Sequence, residues 1–195
     1  MYFLPMTALT FALNHRADYM PPRKLALQEL NRLSVDAFRQ TPKFPYCLLL
    51  DDVRSLNNVG SVFRTADAFR AEKLYLCGIT GQPPHRDITK TALGATESVV
   101  WEHVADAVTL VRQLRSAGWL VAAVEQAEGS TMLSDFQPVQ GQGYVFVLGN
   151  EVSGVNDQII QQADLTLEIP QFGTKHSLNV AVTAGVVCWD FINKM

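Results

Sequence analysis

Residues 46–51 read Tyr46-Cys47-Leu48-Leu49-Leu50-Asp51, and they lead into Ser55-Leu56-Asn57-Asn58-Val59-Gly60-Ser61-Val62-Phe63-Arg64-Thr65-Ala66-Asp67-Ala68-Phe69. The first run is unbroken apolar sequence of strand length, as expected of a strand covered on both faces. In the second, Val59, Val62, Phe63 and Ala66 recur on one helical face, which turns Arg64 away from the core stripe. Strand followed by helix recurs along the chain. Apolar strand-like runs are expected at 73–78, 98–101, 119–124, 144–148 and 165–169. Helical patterns are expected at 88–94, 104–117, near 156–163, and from about 177 to 192. This alternation predicts an α/β fold, a parallel sheet with helices on both faces. Such sheets bind ligands beyond the carboxyl ends of their strands, so the loops that follow strands are where chemistry is expected.

The chain has 195 residues, 48% of them hydrophobic and 18% charged, enough to build a core without disulfides or a structural metal. The three cysteines lie singly in apolar runs, which reads as buried thiols of a reducing compartment, and the chain is expected to be cytoplasmic. No apolar stretch approaches membrane-span length, and residues 1–13 lack the basic start of a signal peptide. The four histidines are too scattered to hold a metal, and G-x-G-x-x-G, P-loop, H-E-x-x-H and G-x-S-x-G patterns are absent.

Charge divides the chain. Residues 1–45 carry six Lys/Arg against three Asp/Glu, whereas residues 46–195 carry ten against sixteen. The basic segment is expected to be a short N-terminal helical extension, with a helix at about 24–40, and the rest a single domain. Met20 stands directly before Pro21-Pro22, so residues 1–19 are expected to be dispensable.

Two further strand-following loops share the character of the first. Val147-Leu148-Gly149-Asn150-Glu151-Val152-Ser153-Gly154-Val155 runs a buried strand into two glycines flanking a carboxylate. Ile169-Pro170-Gln171-Phe172-Gly173-Thr174-Lys175-His176-Ser177-Leu178-Asn179-Val180 leads through a glycine-containing loop to a helix start, where Ser177 and Asn179 meet the free N–H groups and capping alone would account for Ser177. In the first loop, Asn57 or Asn58 is expected to cap the helix, and Gly60 to let another backbone come close. Each loop has an ordinary alternative: a surface cation at Arg64, a solvated turn at Glu151, a plain helix cap at Ser177.

Together the three segments, Asn-Asn-x-Gly-Ser-x-x-Arg-Thr-Ala, Leu-Gly-Asn-Glu-x-x-Gly-Val and Ile-Pro-x-x-Gly-x-x-x-Ser-Leu-Asn-Val, closely resemble the motifs of the SpoU/TrmH-type RNA 2′-O-methyltransferases of the SPOUT superfamily. The resemblance covers about residues 45–191. It implies a C-terminal trefoil knot, S-adenosyl-L-methionine as cofactor, a homodimer with its active site at the subunit interface, and tRNA or rRNA as substrate. By position in the motifs, Leu148, Gly149, Asn150, Gly154, Ile169, Gln171, Ser177 and Leu178 are expected to bind the cofactor. Arg64, Asn58, Glu151, Ser177 and Asn179 are expected to be catalytic, with Arg64 of one subunit facing the methyl donor of the other. Arg64 stays protonated, so it is assigned to phosphate and developing alkoxide rather than to proton removal. The final helix is expected to bury Val186, Val187, Trp189 and Phe191 between subunits or in the core.

RNA docking is expected from Arg23, Lys24, Arg32, Arg64 and Lys175. Arg16, Arg39 and Lys43 of the extension are expected to contact phosphates as well, and Arg54, Arg70 and Arg86, with Lys175, to extend the patch. Gln171, Ala181 and Val152-Ser153 depart from the commoner family residues, and none of them replaces an expected catalytic residue. The sequence stops at Met195, so the resemblance leads one to expect no C-terminal RNA-binding extension of the kind some relatives carry. No metal and no membrane partner are expected. The competing readings are a catalytically silent knotted RNA-binding dimer and an α/β enzyme acting on a small metabolite.

Overall fold

A computed structural model describes residues 22–195. The expectations placed on Arg16 and Met20 lie outside the described residues. The chain divides into two units, with the boundary between Ser34 and Val35.

In the first unit the expected helix at 24–40 does not form. A single 3-10 turn spans Leu27–Leu30 and stops at Asn31, whose φ of 48° is left-handed. Asn tolerates that conformation better than other non-glycine residues, and it ends the turn. Only the last part of the expected helix is α-helical, as α1 (Val35–Gln40), and this helix belongs to the second unit, where Phe38 is buried. The body therefore begins earlier than residue 46.

Seven strands form one sheet: β1 (Phe44–Asp51), β2 (Ala71–Cys77), β3 (Trp101–Val104), β4 (Leu120–Val124), β5 (Thr131–Met132), β6 (Tyr144–Leu148) and β7 (Leu165–Glu168). Their spatial order is β3-β2-β1-β6-β4-β7-β5, and every pairing is parallel. The helices are α2 (Leu56–Ala68), α3 (Arg86–Ala92), α4 (Ala95–Ser98), α5 (Ala107–Ser116), α6 (Asp157–Gln162) and α7 (Val180–Lys194).

Alternate strand residues go to opposite faces, and both faces are dry. Tyr46, Leu48, Leu50, Tyr144, Phe146 and Leu148 join Val62 and Phe63 of α2 and Val187 and Phe191 of α7 in one core. Cys47, Leu49, Val145 and Val147 pack with Leu110 and Val111 of α5 and Ile159 of α6 in the other. This double burial is why the strands read as continuous apolar runs. Cys47, Cys77 and Cys188 are free and buried.

Two elements differ from the sequence expectation. The run expected as a strand at 98–101 instead ends the short helix α4, because Gly94 at φ 90° starts a helical turn and Val99 N–H donates to Ala95 O. The strand is displaced to Trp101–Val104. The polar stretch 125–143 contains β5, which pairs with Leu167 and Glu168. Two residues are too few to carry a periodic signal.

Candidate functional site

Where β6, β4 and β7 end, Leu148 pairs with Val124 and Val124 with Leu167, so one row of apolar residues crosses three adjacent strands. Above this row lies a cavity of about 480 Å³. Its walls come from loops 149–154 and 169–179 and from Glu125 and Gln126 after β4. All eight residues expected to bind the cofactor line it: Leu148, Gly149, Asn150, Gly154, Ile169, Gln171, Ser177 and Leu178.

The first wall is a tight turn with little freedom. Asn150 and Gly154 exchange two backbone hydrogen bonds of 3.1 Å, and the Asn150 side chain accepts from Val152 and Ser153 N–H at 2.9 Å each. Val155 N–H donates to Glu125 Oε2 at 3.0 Å, and Asn156 N–H to buried Asp51 Oδ2 at 2.9 Å. A methyl added at Gly149 would overlap the main chain of Gly154 and Val155, so only glycine fits. Gly154 sits at φ 69°, and a side chain there would also strike the Glu125 carboxylate. The second wall is tied across by Gln126 Nε2, which donates to His176 O at 2.9 Å. Among the described residues, no intrachain hydrogen bond engages the main chain of Ile169 or Leu178. An apolar floor beside open main-chain donors and acceptors suits a flat heteroaromatic ligand such as adenine.

Three expected catalytic residues meet at one rim of this cavity. Glu151 Oε1 accepts from Asn58 Nδ2 at 2.9 Å, and Asn58 Oδ1 accepts from Asn179 Nδ2 at 3.1 Å. The three residues come from three different motif segments. Glu151 also accepts from Arg54 N–H at 3.2 Å and Ser55 N–H at 3.3 Å, which puts its charge at the N-terminus of α2. Partial burial alone would raise its pKa, but the hydrogen bonds from its own backbone, Asn58, Arg54 and Ser55 outweigh that and hold the carboxyl below the usual carboxylate range.

Helix capping differs in detail from expectation. Ser55, not Asn57 or Asn58, caps α2, accepting from Asn58 N–H at 3.3 Å. Asn179, not Ser177, caps α7, accepting from Ala181 and Val182 N–H at 2.9 and 3.4 Å. Asn58 and Ser177 are thus left for the cavity rim and wall. As expected of Gly60, α3 packs against it, since a methyl there would overlap Thr91 Oγ1 and Ile88 O.

Arg64 is not in the cavity. It is exposed two turns further along α2, in a separate groove with Ser61, Thr65 and Lys90. Lys175 is exposed on loop 169–179. In α7, Val187 and Phe191 belong to the core and are not free for a partner, whereas Val182 and Trp189 are 52% and 59% exposed one heptad apart.

In the first unit, Arg23 forms a 2.5 Å ion pair with Glu29, while Lys24 and Arg32 are exposed. Arg39, Lys43 and Arg70 are already engaged in structure. Arg39 donates to Glu97 O, Lys43 to Phe38 O and Thr41 O, and Arg70 stacks 4.7 Å over Phe44. The sequence reading missed Glu125, Gln126, His176 and Thr183 as cavity residues. Glu125 and Gln126 directly follow a parallel strand, the same signal that marked the other loops.

The chain matches the SpoU rRNA Methylase family over residues 45–189. The 23S rRNA (guanosine-2′-O-)-methyltransferase RlmB of Neisseria meningitidis is 28% identical over 152 residues, 78% of this chain and 60% of that protein. The RlmB of Pasteurella multocida is 27% identical over 86% of this chain and 67% of its own. The chain thus spans about 60% of the length of the Neisseria relative. Among solved structures, an AdoMet-bound rRNA methyltransferase from Sinorhizobium meliloti superposes with a TM-score of 0.71 at 28% identity, over 78% of this chain and 58% of that one. The A. aeolicus TrmH/SpoU tRNA modifying enzyme shares the fold, with a TM-score of 0.71 at 24% identity over 80% of this chain and 79% of its own. With a match extending from the first strand into the last helix, this chain belongs to the SpoU rRNA Methylase family.

Proposed function

We propose that the protein is an S-adenosyl-L-methionine-dependent RNA ribose 2′-O-methyltransferase acting on rRNA or tRNA as a homodimer. The observation that carries this reading is the cavity at the ends of β6, β4 and β7, whose rim is closed by the Glu151–Asn58–Asn179 hydrogen-bond chain.

The residues present fit the cofactor. Gly149 gives a close approach to the main chain, and Ile169 and Leu178 offer unengaged main-chain groups beside an apolar floor. When bound, S-adenosyl-L-methionine supplies an electrophilic methyl group, transferred as its C–S bond breaks and an O–CH₃ bond forms to the ribose. Glu151 stays ionised through the neutral range and fixes the Asn58 amide, which in turn orients Asn179. Ser177 contributes a hydroxyl to the same wall. The Arg64 guanidinium stabilises the RNA phosphate and the alkoxide that forms as the ribose loses its proton.

Within one chain Arg64 faces away from the cavity, so its part in the reaction calls for a second copy. The exposed Val182 and Trp189 of α7 offer an apolar face for that contact. The family's trefoil knot is part of this reading, with loops 149–154 and 169–179 as the threaded segments. Three buried free thiols support a reducing compartment. Among the described residues, no helix is long and apolar enough to cross a membrane.

The test is transfer of labelled methyl from S-adenosyl-L-methionine to unmodified tRNA and rRNA pools, read by nucleoside mass spectrometry. A 2′-O-methylated nucleoside is expected with the wild type and not with Arg64→Ala. Cofactor and RNA binding without transfer would favour a silent RNA-binding dimer.

A further inference from the structure

Arg64 opens onto a groove of about 490 Å³ between α2 and α3, lined also by Ser61, Thr65, Phe69, Lys90 and Leu93. Three features of this groove bear on what it could hold. Both of its cations are exposed, and among the described residues neither Arg64 nor Lys90 has a hydrogen-bond or ion-pair partner. Elsewhere in the body Arg39, Arg70, Arg115, Lys43, Lys73 and Lys194 are engaged, whereas Arg54, Arg86 and Lys175 are exposed and likewise lack a side-chain partner among the described residues; what is particular to Arg64 and Lys90 is that they line the same groove.

The groove is also rigid. Gly60 lets α3 pack directly on α2, and Thr91 Oγ1 donates across the contact to Asn57 O at 3.0 Å. Lys90 is next to Thr91 and Arg64 is one turn from Gly60, so the two cations are held on a fixed frame.

Lastly, Leu93 ends α3 at φ 51°, a left-handed conformation that normally goes to glycine or asparagine, and it is 67% exposed. The Leu93 backbone caps α3, its N–H donating to Thr89 O at 3.2 Å, while its exposed side chain offers an apolar surface on a cation-lined groove.

We infer that this groove docks one nucleotide of single-stranded RNA beside the methylated ribose, with Lys90 on its phosphate and Leu93 packed against its base. The proposal rests on the RNA reading of Arg64 and adds two residues that the family motifs do not include. The volume falls in the range of small-molecule sites, roughly 300–1,000 Å³. The paired cations favour a phosphate-bearing occupant over an apolar partner surface. Because the base would lie against Leu93, the nucleotide must be unstacked, as in a loop rather than a duplex.

The test measures the affinity of the full chain for an unmodified rRNA transcript across a salt series, with melting temperature, oligomeric state and methyl transfer recorded for every variant. Lys90→Ala is expected to weaken binding about tenfold and to reduce the slope of log affinity against log salt by about one. Leu93→Gly relieves the left-handed strain, so it is expected to melt no lower than wild type while binding RNA several-fold more weakly with an unchanged salt slope. Unchanged affinity and slope in Lys90→Ala would overturn the inference. So would a loss of the dimer in either variant, which would assign the groove to a second copy. The outcomes separate from those for the catalytic reading. Methyl transfer by the wild type with no effect of Lys90→Ala on RNA binding defeats the groove alone. RNA binding that falls with Lys90→Ala in a chain that transfers no methyl supports the groove and defeats the catalytic reading.

Discussion

Replacing Gly149 with alanine puts a methyl where the main chain of Gly154 and Val155 already lies. The turn cannot slide away freely, because it is pinned by the paired Asn150–Gly154 bonds, by Glu125 on Val155 N–H and by Asp51 on Asn156 N–H. Making room requires breaking at least the Asn150–Gly154 pair, at about 1 kcal/mol for each bond. Residual overpacking adds about 1–3 kcal/mol. The total, about 3–5 kcal/mol, corresponds to a melting temperature roughly 6–20 °C lower for a domain of this size. The same movement deforms the cavity wall, so the cofactor should no longer protect the variant. In the wild type, S-adenosyl-L-methionine at one hundred times its Kd should add about 2.7 kcal/mol. Thermal melts with and without cofactor, using Gly173→Ala as control, test this. A methyl added at Gly173 meets nothing within 4 Å, so that variant should melt like the wild type. A Gly149→Ala protein that melts within 2 °C (about 1 kcal/mol or less) of wild type and keeps its cofactor shift would refute the reasoning.

Arg64→Ala removes an exposed side chain with no partner among the described residues, so stability should stay within about 0.5 kcal/mol. Methyl transfer should fall at least about 100-fold, the scale of losing one charge-stabilising donor of about 3 kcal/mol. Glu151 is held below the usual carboxylate pKa, so its hydrogen bonds stabilise the fold above about pH 4.3, and that contribution fades as pH falls through the depressed value. The melting-temperature gap between wild type and Glu151→Gln should therefore be full near neutrality and close in acid. A gap that is constant with pH would contradict the assignment. In the N-terminal unit, Lys24→Glu should weaken RNA binding more than Arg23→Glu, because Arg23 is already paired with Glu29. RNA titrations at two salt concentrations check the order.

The sheet was legible because parallel strands buried on both faces carry uninterrupted apolar runs, and Tyr144–Leu148 lies where that pattern placed it. β5 was not, since two residues have no period, and β3 was displaced because Gly94 begins a helical turn that the apolar run concealed. The extension misled for a similar reason. Its leucines have helical spacing, but Asn31 adopts a left-handed conformation that interrupts the helix. In the site, the cavity residues within the motifs were readable, and the Glu151–Asn58–Asn179 chain follows from their convergence at the strand ends. Glu125 carried the same positional signal, but its partners, the Val155 and Gln126 N–H groups, could be assigned only once the turn at 149–155 was in view. Capping was harder to read, because Ser55 and Asn58, like Ser177 and Asn179, are polar neighbours with equal claim until φ and ψ decide.

The cavity of one chain and Arg64 of another are proposed to act together on an RNA ribose. Mixing Arg64→Ala chains with Gly149→Ala chains, well below the melting temperature of either, tests this most directly. Each variant alone should leave RNA without new 2′-O-methylation, while a mixed dimer combines one intact cavity with one intact Arg64. Labelled methyl appearing on a ribose 2′-oxygen only in the mixture is the predicted result. A mixture as inactive as its parts, under conditions where subunits exchange and the wild type methylates RNA, would contradict the claim.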